Sequence, residues 1–331
     1  MKVIFLTHHS LQGHRFRVEQ YFPYLNAYGV ETIWQPIPKS LGKRLEIYRD
    51  LSRYDVIFIQ RRLLSPIEFS HIRRKARKII FDVDDAIMFR SSSSSRQRSL
   101  SRMWKFKYMV RNSDAVIVGN RFLEEQVIRY VDSNKVTLIP TPIDINFYPK
   151  KKEFSNKGRT ILGWIGTHST LKYLKDLDPI FEALTERFNQ ISLKIVCDQF
   201  FNFSTIPVIK KRWSLEEEND DLVSFDIGLM PLKDDLWSRG KCGLKIIQYQ
   251  CVGLPVVCTP VGINRDIIRD GYNGFWATTS QEWVEKLSIL IEREDLRREM
   301  GAHGIRMVER KFSIHITSEK LLSVFRGLSP H

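Results

Sequence analysis

Residues 237–274 read WSRGKCGLKIIQYQCVGLPVVCTPVGINRDIIRDGYNG. The stretch opens on a glycine-broken loop and continues as a helix over about 243–252. It turns tightly at 253–255, enters a buried strand at 256–258, and leaves through a second glycine-bearing turn toward a helix near 265–269. Strand and helix ends gathered in so short a length bring unpaired backbone N–H groups together, and such groups bind an anion the size of a phosphate. Lys241 and Lys245 add positive charge at the same end. Gln248, one turn beyond Lys245, faces the same way, where its amide can bond a ligand hydroxyl.

Outward from this stretch the chain keeps one rhythm. Apolar runs at 3–7, 30–34, 56–60, 78–82, 115–119 and 136–139 read as strands, and segments between them, such as 16–27 and 121–130, carry helical spacing. Strand–helix alternation predicts a parallel, doubly wound sheet. The rhythm stops at Pro140, Pro142 and Pro149 with the lysines that follow, then resumes at 160–166, 192–197, 207–209, 225–230 and 256–258. Two α/β domains follow from this, 1–150 and 151–312, with a last helix in 313–331. Ligands of such sheets bind at the C-terminal ends of the strands. The five serines at 91–95, followed by Arg96, Gln97 and Arg98, cannot bury apolar area and are expected as a mobile loop, either plain surface or a lid.

The motifs resemble the donor-binding region of the retaining GT-B glycosyltransferases of family four (glycosyl transferases group 1). Gly253-Leu254-Pro255-Val256-Val257 and Asp270-Gly271-Tyr272-Asn273-Gly274 match that family's pattern. Its two helix glutamates do not match, since Gly240 and Gln248 stand in their places. The resulting GKCG-x-K-x-x-Q pattern is similar to a subgroup of the family. The resemblance covers nearly the whole chain and is most specific over 226–274. It implies two Rossmann-like, doubly wound domains facing a central cleft. The first, 1–150, binds the acceptor; the second, 151–312, binds the nucleotide sugar; the final helix crosses back to the first. It further implies transfer of a sugar, of the hexosyltransferase type, from a nucleoside-diphosphate donor with retention. No metal and no cofactor are expected.

Several residues are candidates for that chemistry. Gly166, Thr167 and Ser169 sit where a strand ends and a helix begins, a backbone cradle for a diphosphate or else an ordinary helix cap. The resemblance would put an Arg and a Lys at positions held here by Thr167 and Tyr173, so Lys241 and Lys245 are the candidates for neutralising the diphosphate. Gln248 is then the candidate for the ribose. Asp82-Val83-Asp84-Asp85 ends the fourth strand. Paired carboxylates of this kind can hold Mg²⁺ or Mn²⁺, but the resemblance speaks against a metal. Asp84 and Asp85 are therefore candidate catalytic contacts to the acceptor hydroxyl or donor sugar, with helix capping by Asp85 as the plainer alternative. Gly13 and Arg17, in the loop after the first strand, are candidate donor contacts, Gly13 for close backbone approach and Arg17 for phosphate, with a merely solvated Arg17 as the plainer alternative. Trp213 is a weaker candidate for stacking on the nucleobase.

Composition bounds the rest. The chain of 331 residues is 43% hydrophobic, enough for two cores. Its four cysteines form no C-x-x-C pair and are expected as reduced thiols in a cytosolic protein. MKVIFLTHHS reads as a first strand rather than a signal peptide. No apolar run is long enough to span a membrane. The formal net charge is +14, and residues 1–150 hold 26 Lys and Arg against 14 Asp and Glu. A one-sided excess of this size, interleaved with aromatics at 102–108, points to an anionic membrane surface and a lipid-linked or membrane-presented glycan acceptor. Cell-envelope polysaccharide synthesis, peripheral at the inner membrane face, is the expected setting. A nucleotide-sugar epimerase of the same fold is one alternative. A basic nucleic-acid-binding protein is the other, but no helix-turn-helix, zinc-finger or RNA-binding signature occurs, so nucleic acid is not an expected partner.

Overall fold

The structure is a computed structural model that describes residues 1–8, 11–154 and 158–328, without the side chains of 11–13. The chain forms two compact units. The first contains Met1–Asp144, Asp235–Cys242 and Phe312–His331; the second contains Ile145–Asp234 and Gly243–Lys311.

The first unit is built on strands β1 (Lys2–Thr7), β2 (Glu31–Pro36), β3 (Val56–Gln60), β4 (Lys78–Val83), β5 (Ala115–Val118) and β6 (Val136–Leu138). All pair in parallel, in the order β2-β1-β3-β4-β5-β6. Alternate residues feed opposite faces, the period-two consequence of the pleat. Ile57, Ile59, Ile79 and Phe81 pack with the helices Leu41–Arg49, Pro66–Lys75 and Leu100–Asn112 on one face. Val3, Phe5, Phe58 and Ile80 pack on the other, with Leu321, Leu322 and Phe325 of the last helix, Ile314–Leu328.

The second unit has β7 (Thr160–Ile165), β8 (Ile191–Cys197), β9 (Val208–Arg212), β10 (Ile227–Met230), β11 (Val256–Cys258) and β12 (Gly274–Trp276). Their order, β12-β11-β10-β7-β8-β9, is again wholly parallel and reverses between β7 and β10. A reversal of this kind parts the loops that follow its two strands and opens a crevice at their C-terminal ends.

Three expectations change. The serines at 91–95 are the tip of a hairpin where a plain loop was expected: Phe89 and Arg98 form an antiparallel bridge, and Arg90 N donates to Gln97 O at 2.8 Å. The segment after β1 is a helix, Leu11–Arg17, not a loop. Residues 235–242, placed by the proline-marked boundary in the second domain, pack with the first unit because Leu236, Trp237 and Cys242 join its core.

Candidate functional site

In the second unit the reversal point is held open by one phenol. β7 and β10 pair only at Ile227 with Leu162 and at Gly228 with Gly163. Beyond that pair the hydroxyl of buried Tyr249 takes over the ladder. It accepts from Ile165 N at 3.0 Å and donates to Leu229 O at 3.5 Å. Gly228 makes room, since a Cβ there would lie 2.5 Å from the Tyr249 ring. Burial pushes the Tyr249 phenol well above its ordinary value, so it stays a neutral donor and acceptor.

Lys245 reaches the same point from the helix Leu244–Cys251, whose N-cap is Gly243 in the left-handed conformation at φ 69°. Its ammonium lies 4.0 Å from the centre of the Trp164 ring and donates to Thr170 Oγ1 at 3.0 Å. A cation over an indole is attracted to the face of the ring. Gly166 is required by this arrangement: a Cβ on it would run into both Lys245 Nζ and the Trp164 ring. Thr167, in extended conformation, is the N-cap of the helix His168–Lys175 but makes no side-chain capping bond. Its hydroxyl pairs with Ser169 Oγ at 2.8 Å. Asp198 caps instead, accepting from His168 N at 2.8 Å and lying 2.7 Å from His168 Nδ1. Burial would raise the Asp198 carboxyl, but these bonds hold it down at about 2. Sequence reading brings Gly166, Thr167, Ser169 and Lys245 into one place, and the structure does the same.

The first unit gathers a second cluster where β3 and β4 end. Arg61, directly after β3, has φ 46°, which costs a side-chain-bearing residue strain and is held here by Arg61 N donating to Asp82 O at 2.9 Å. Its guanidinium lies 3.8 Å from Asp84 Oδ1 and 3.7 Å from Asp85 Oδ2. These carboxylates, Asp84 foremost, push Arg61 further above its ordinary value. Lys241 Nζ lies 3.3 Å from both oxygens of Asp85 and 4.6 Å from the Trp237 ring centre. Cys242 Sγ donates to Asp84 O at 3.0 Å and occupies the space left by Gly119, while Gly240 packs on Ala86. Asn120 donates to Lys241 O at 2.9 Å. The GKCG run is thus explained residue by residue: two glycines for approach and turn, one cation, one buried thiol.

The remaining candidates are placed by other contacts. Lys241 pairs with Asp85 within the first unit. Arg17 is 2% exposed, because its side chain is a structural clamp. It donates to Asp82 Oδ1 at 2.7 Å, Asp82 Oδ2 at 3.1 Å, Ile139 O at 2.6 Å and Pro140 O at 2.9 Å, leaving it turned inward rather than toward a phosphate. Burial pushes the Asp82 carboxyl up, to about 6, against the pull of Arg17. Gln248 is buried, its amide nitrogen 3.4 Å from the Tyr148 hydroxyl. Gly13 falls where side-chain surroundings lie outside the described residues. Trp213 is half-buried and donates to Glu218 Oε2 at 3.0 Å. Arg61 and Tyr249 escape sequence reading: a positive φ on an arginine leaves no mark in the sequence, and a tyrosine in an apolar helix reads as core.

Two Rossmann-like units on parallel six-stranded sheets, with a crevice at the second unit's reversal point, define the GT-B fold. The family model for Glycosyl transferases group 1 matches residues 229–307. The chain is 23% identical over 236 residues to the uncharacterized glycosyltransferase MJ1178 of Methanocaldococcus jannaschii, covering 69% of this chain and 62% of that relative's length. Among solved structures it is similar to Anabaena Alr3699/HepE in complex with UDP and glucose, with a TM-score of 0.73 at 15% identity over 99% of this chain and 100% of that one. It is also similar to the sucrose-phosphate synthase of Thermosynechococcus elongatus, with a TM-score of 0.76 at 14% identity over 99% of each chain.

Proposed function

We propose that the protein is a glycosyltransferase that moves a sugar, a hexose, from a nucleoside-diphosphate donor to a glycan acceptor with retention at the anomeric carbon. The observation that carries this reading is Lys245. A helix start, an indole face and a glycine without a side chain fix its ammonium at the reversal point of the second unit, inside the stretch matched by the group 1 model. In the reaction the acceptor oxygen bonds to the anomeric carbon, the bond from that carbon to the diphosphate breaks, and the acceptor proton leaves to the departing diphosphate or to water. Negative charge grows on the diphosphate, where Lys245 and the amides near Gly166, Thr167 and Ser169 stabilise it. Asp84 and Asp85, organised by Arg61 and Lys241, contact the acceptor hydroxyl or the sugar. Their pairing with two cations supports a reaction without a divalent metal. The HepE complex was solved with UDP, so UDP is the first donor base to try.

The acceptor is lipid-linked or presented at a membrane, and the protein works at the cytoplasmic face in envelope polysaccharide synthesis. A melting panel with UDP, GDP and ADP tests the donor half, because a ligand that binds only the native state raises the melting temperature. One of these diphosphates is expected to raise it in the parent and much less in Lys245→Ala. A flat response to all three would refute the reading.

A further inference from the structure

We infer that one edge of the first unit, formed by the N-terminal ends of three neighbouring helices, is the surface that docks on an anionic bilayer. The helices Leu41–Arg49, Pro66–Lys75 and Leu100–Asn112 pack side by side on one face of the sheet. Each follows a parallel strand and runs back against it, so all three start at the sheet's C-terminal edge. Each presents a bare apolar residue at that start: Leu41 is 60% exposed, Ile67 86% and Leu100 93%. Trp104, one turn beyond Leu100, is 58% exposed. Single exposed apolar side chains are ordinary. Three on adjoining helix starts, with Trp104 a turn further along the third helix, make a row at one edge, and a row of this kind suits the boundary between headgroups and acyl chains.

The charge around the row is positive. Lys43 is exposed beside Leu41, Arg102 is exposed beside Leu100, and the hairpin that leads to Leu100 exposes Arg90, Arg96 and Arg98 with no acidic residue between them. Three acids at this edge are already matched. Glu68 accepts from Arg44 at 3.2 Å and from Tyr48 at 2.8 Å, and Asp84 and Asp85 face Arg61 and Lys241. Glu46, a turn along the helix from Leu41, is an exposed acid. At the helices' far ends the basic run 73–78 is partly neutralised, since Arg73 pairs with Asp114 and Arg77 with Asp55. The docking surface therefore lies at the starts of these helices, beside the end of β4 that carries Asp84 and Asp85. This deepens, and rests on, the reading of a membrane-presented acceptor.

The test is sedimentation of the full chain with vesicles at low salt. Phosphatidylglycerol vesicles are expected to carry it down and phosphatidylcholine vesicles to leave it in solution, because each basic residue near an anionic surface adds attraction that salt screens. The triple variant Ile67→Ser/Leu100→Ser/Trp104→Ser changes exposed positions alone. It is expected to keep the parent's melting temperature and to partition about tenfold less, whereas Arg74→Gln at the far end stays within about twofold. Sedimentation with neither vesicle overturns the proposal, as does a triple variant that binds like the parent, or capture by a protein partner in the absence of vesicle binding. Melting shifts with nucleoside diphosphates, run on the same samples, show whether the donor reading stands or falls separately.

Discussion

At the residue scale the donor reading turns on three side chains and one missing one. Lys245→Ala removes a charge-assisted contact to phosphate, worth about 1.5–3 kcal/mol. Nucleoside-diphosphate affinity measured by calorimetry is expected to drop at least tenfold, with far-UV circular dichroism unchanged. Gly166→Ala puts a methyl where Lys245 Nζ and the Trp164 ring lie. Trp164 is buried and cannot yield, so the lysine moves, and affinity is expected to fall in parallel with a loss of about 1–3 kcal/mol in stability. Tyr249→Phe tests the wedge. It leaves Ile165 N without its acceptor in a buried ladder, which costs about 1–3 kcal/mol and lowers the melting temperature by several degrees. A variant as stable as the parent would show the hydroxyl to be dispensable. Lys245 was legible in the sequence because a lysine at a helix start after a glycine has few structural uses. Arg17 was misread because burial and a partner 65 positions away are properties of the fold, not of the loop in which it was sought.

At the element scale, the strands were legible wherever they are long and apolar, and both parallel sheets follow from their alternation with helices. β12, three residues leaving a turn, was too short to read, and β9 was read short because Lys210, Lys211 and Arg212 continue it at a sheet edge. The segment 237–242 was legible as functional but not as belonging to the first unit, because what holds it is a set of fits to Gly119, Ala86 and Asn120. Asn120 joins two elements. Its side-chain Oδ1 accepts from Leu123 N at 2.9 Å, capping the helix Arg121–Val127, and its side-chain Nδ2 donates to Lys241 O. Asn120→Ala should cost about 1–2 kcal/mol through the lost cap. It should also lower transfer activity while nucleoside-diphosphate affinity stays as in the parent, since Lys245 belongs to the other unit. Equal loss of both would place the segment in donor binding.

At the scale of the whole molecule, the charge of the carboxylate cluster bears on the choice between metal and metal-free chemistry. A divalent cation needs several oxygen ligands with charge to spare. Asp84 and Asp85 face Arg61 at 3.8 and 3.7 Å, and Lys241 lies 3.3 Å from Asp85. Two carboxylates against two fixed cations leave no net charge to attract an ion, and a metal would have to enter against Arg61, whose backbone is held in place. Sugar transfer is therefore expected to continue in EDTA at the parent rate. Asp85→Asn unbalances the cluster, leaving Lys241 without its full countercharge, but does not touch the second unit. The expected result is a large fall in turnover with an unchanged melting shift from the nucleoside diphosphate. If EDTA stops transfer and Mn²⁺ or Mg²⁺ restores it, Lys241 must give way to a metal during turnover, and the assignment of Asp84 and Asp85 as metal-free contacts is wrong.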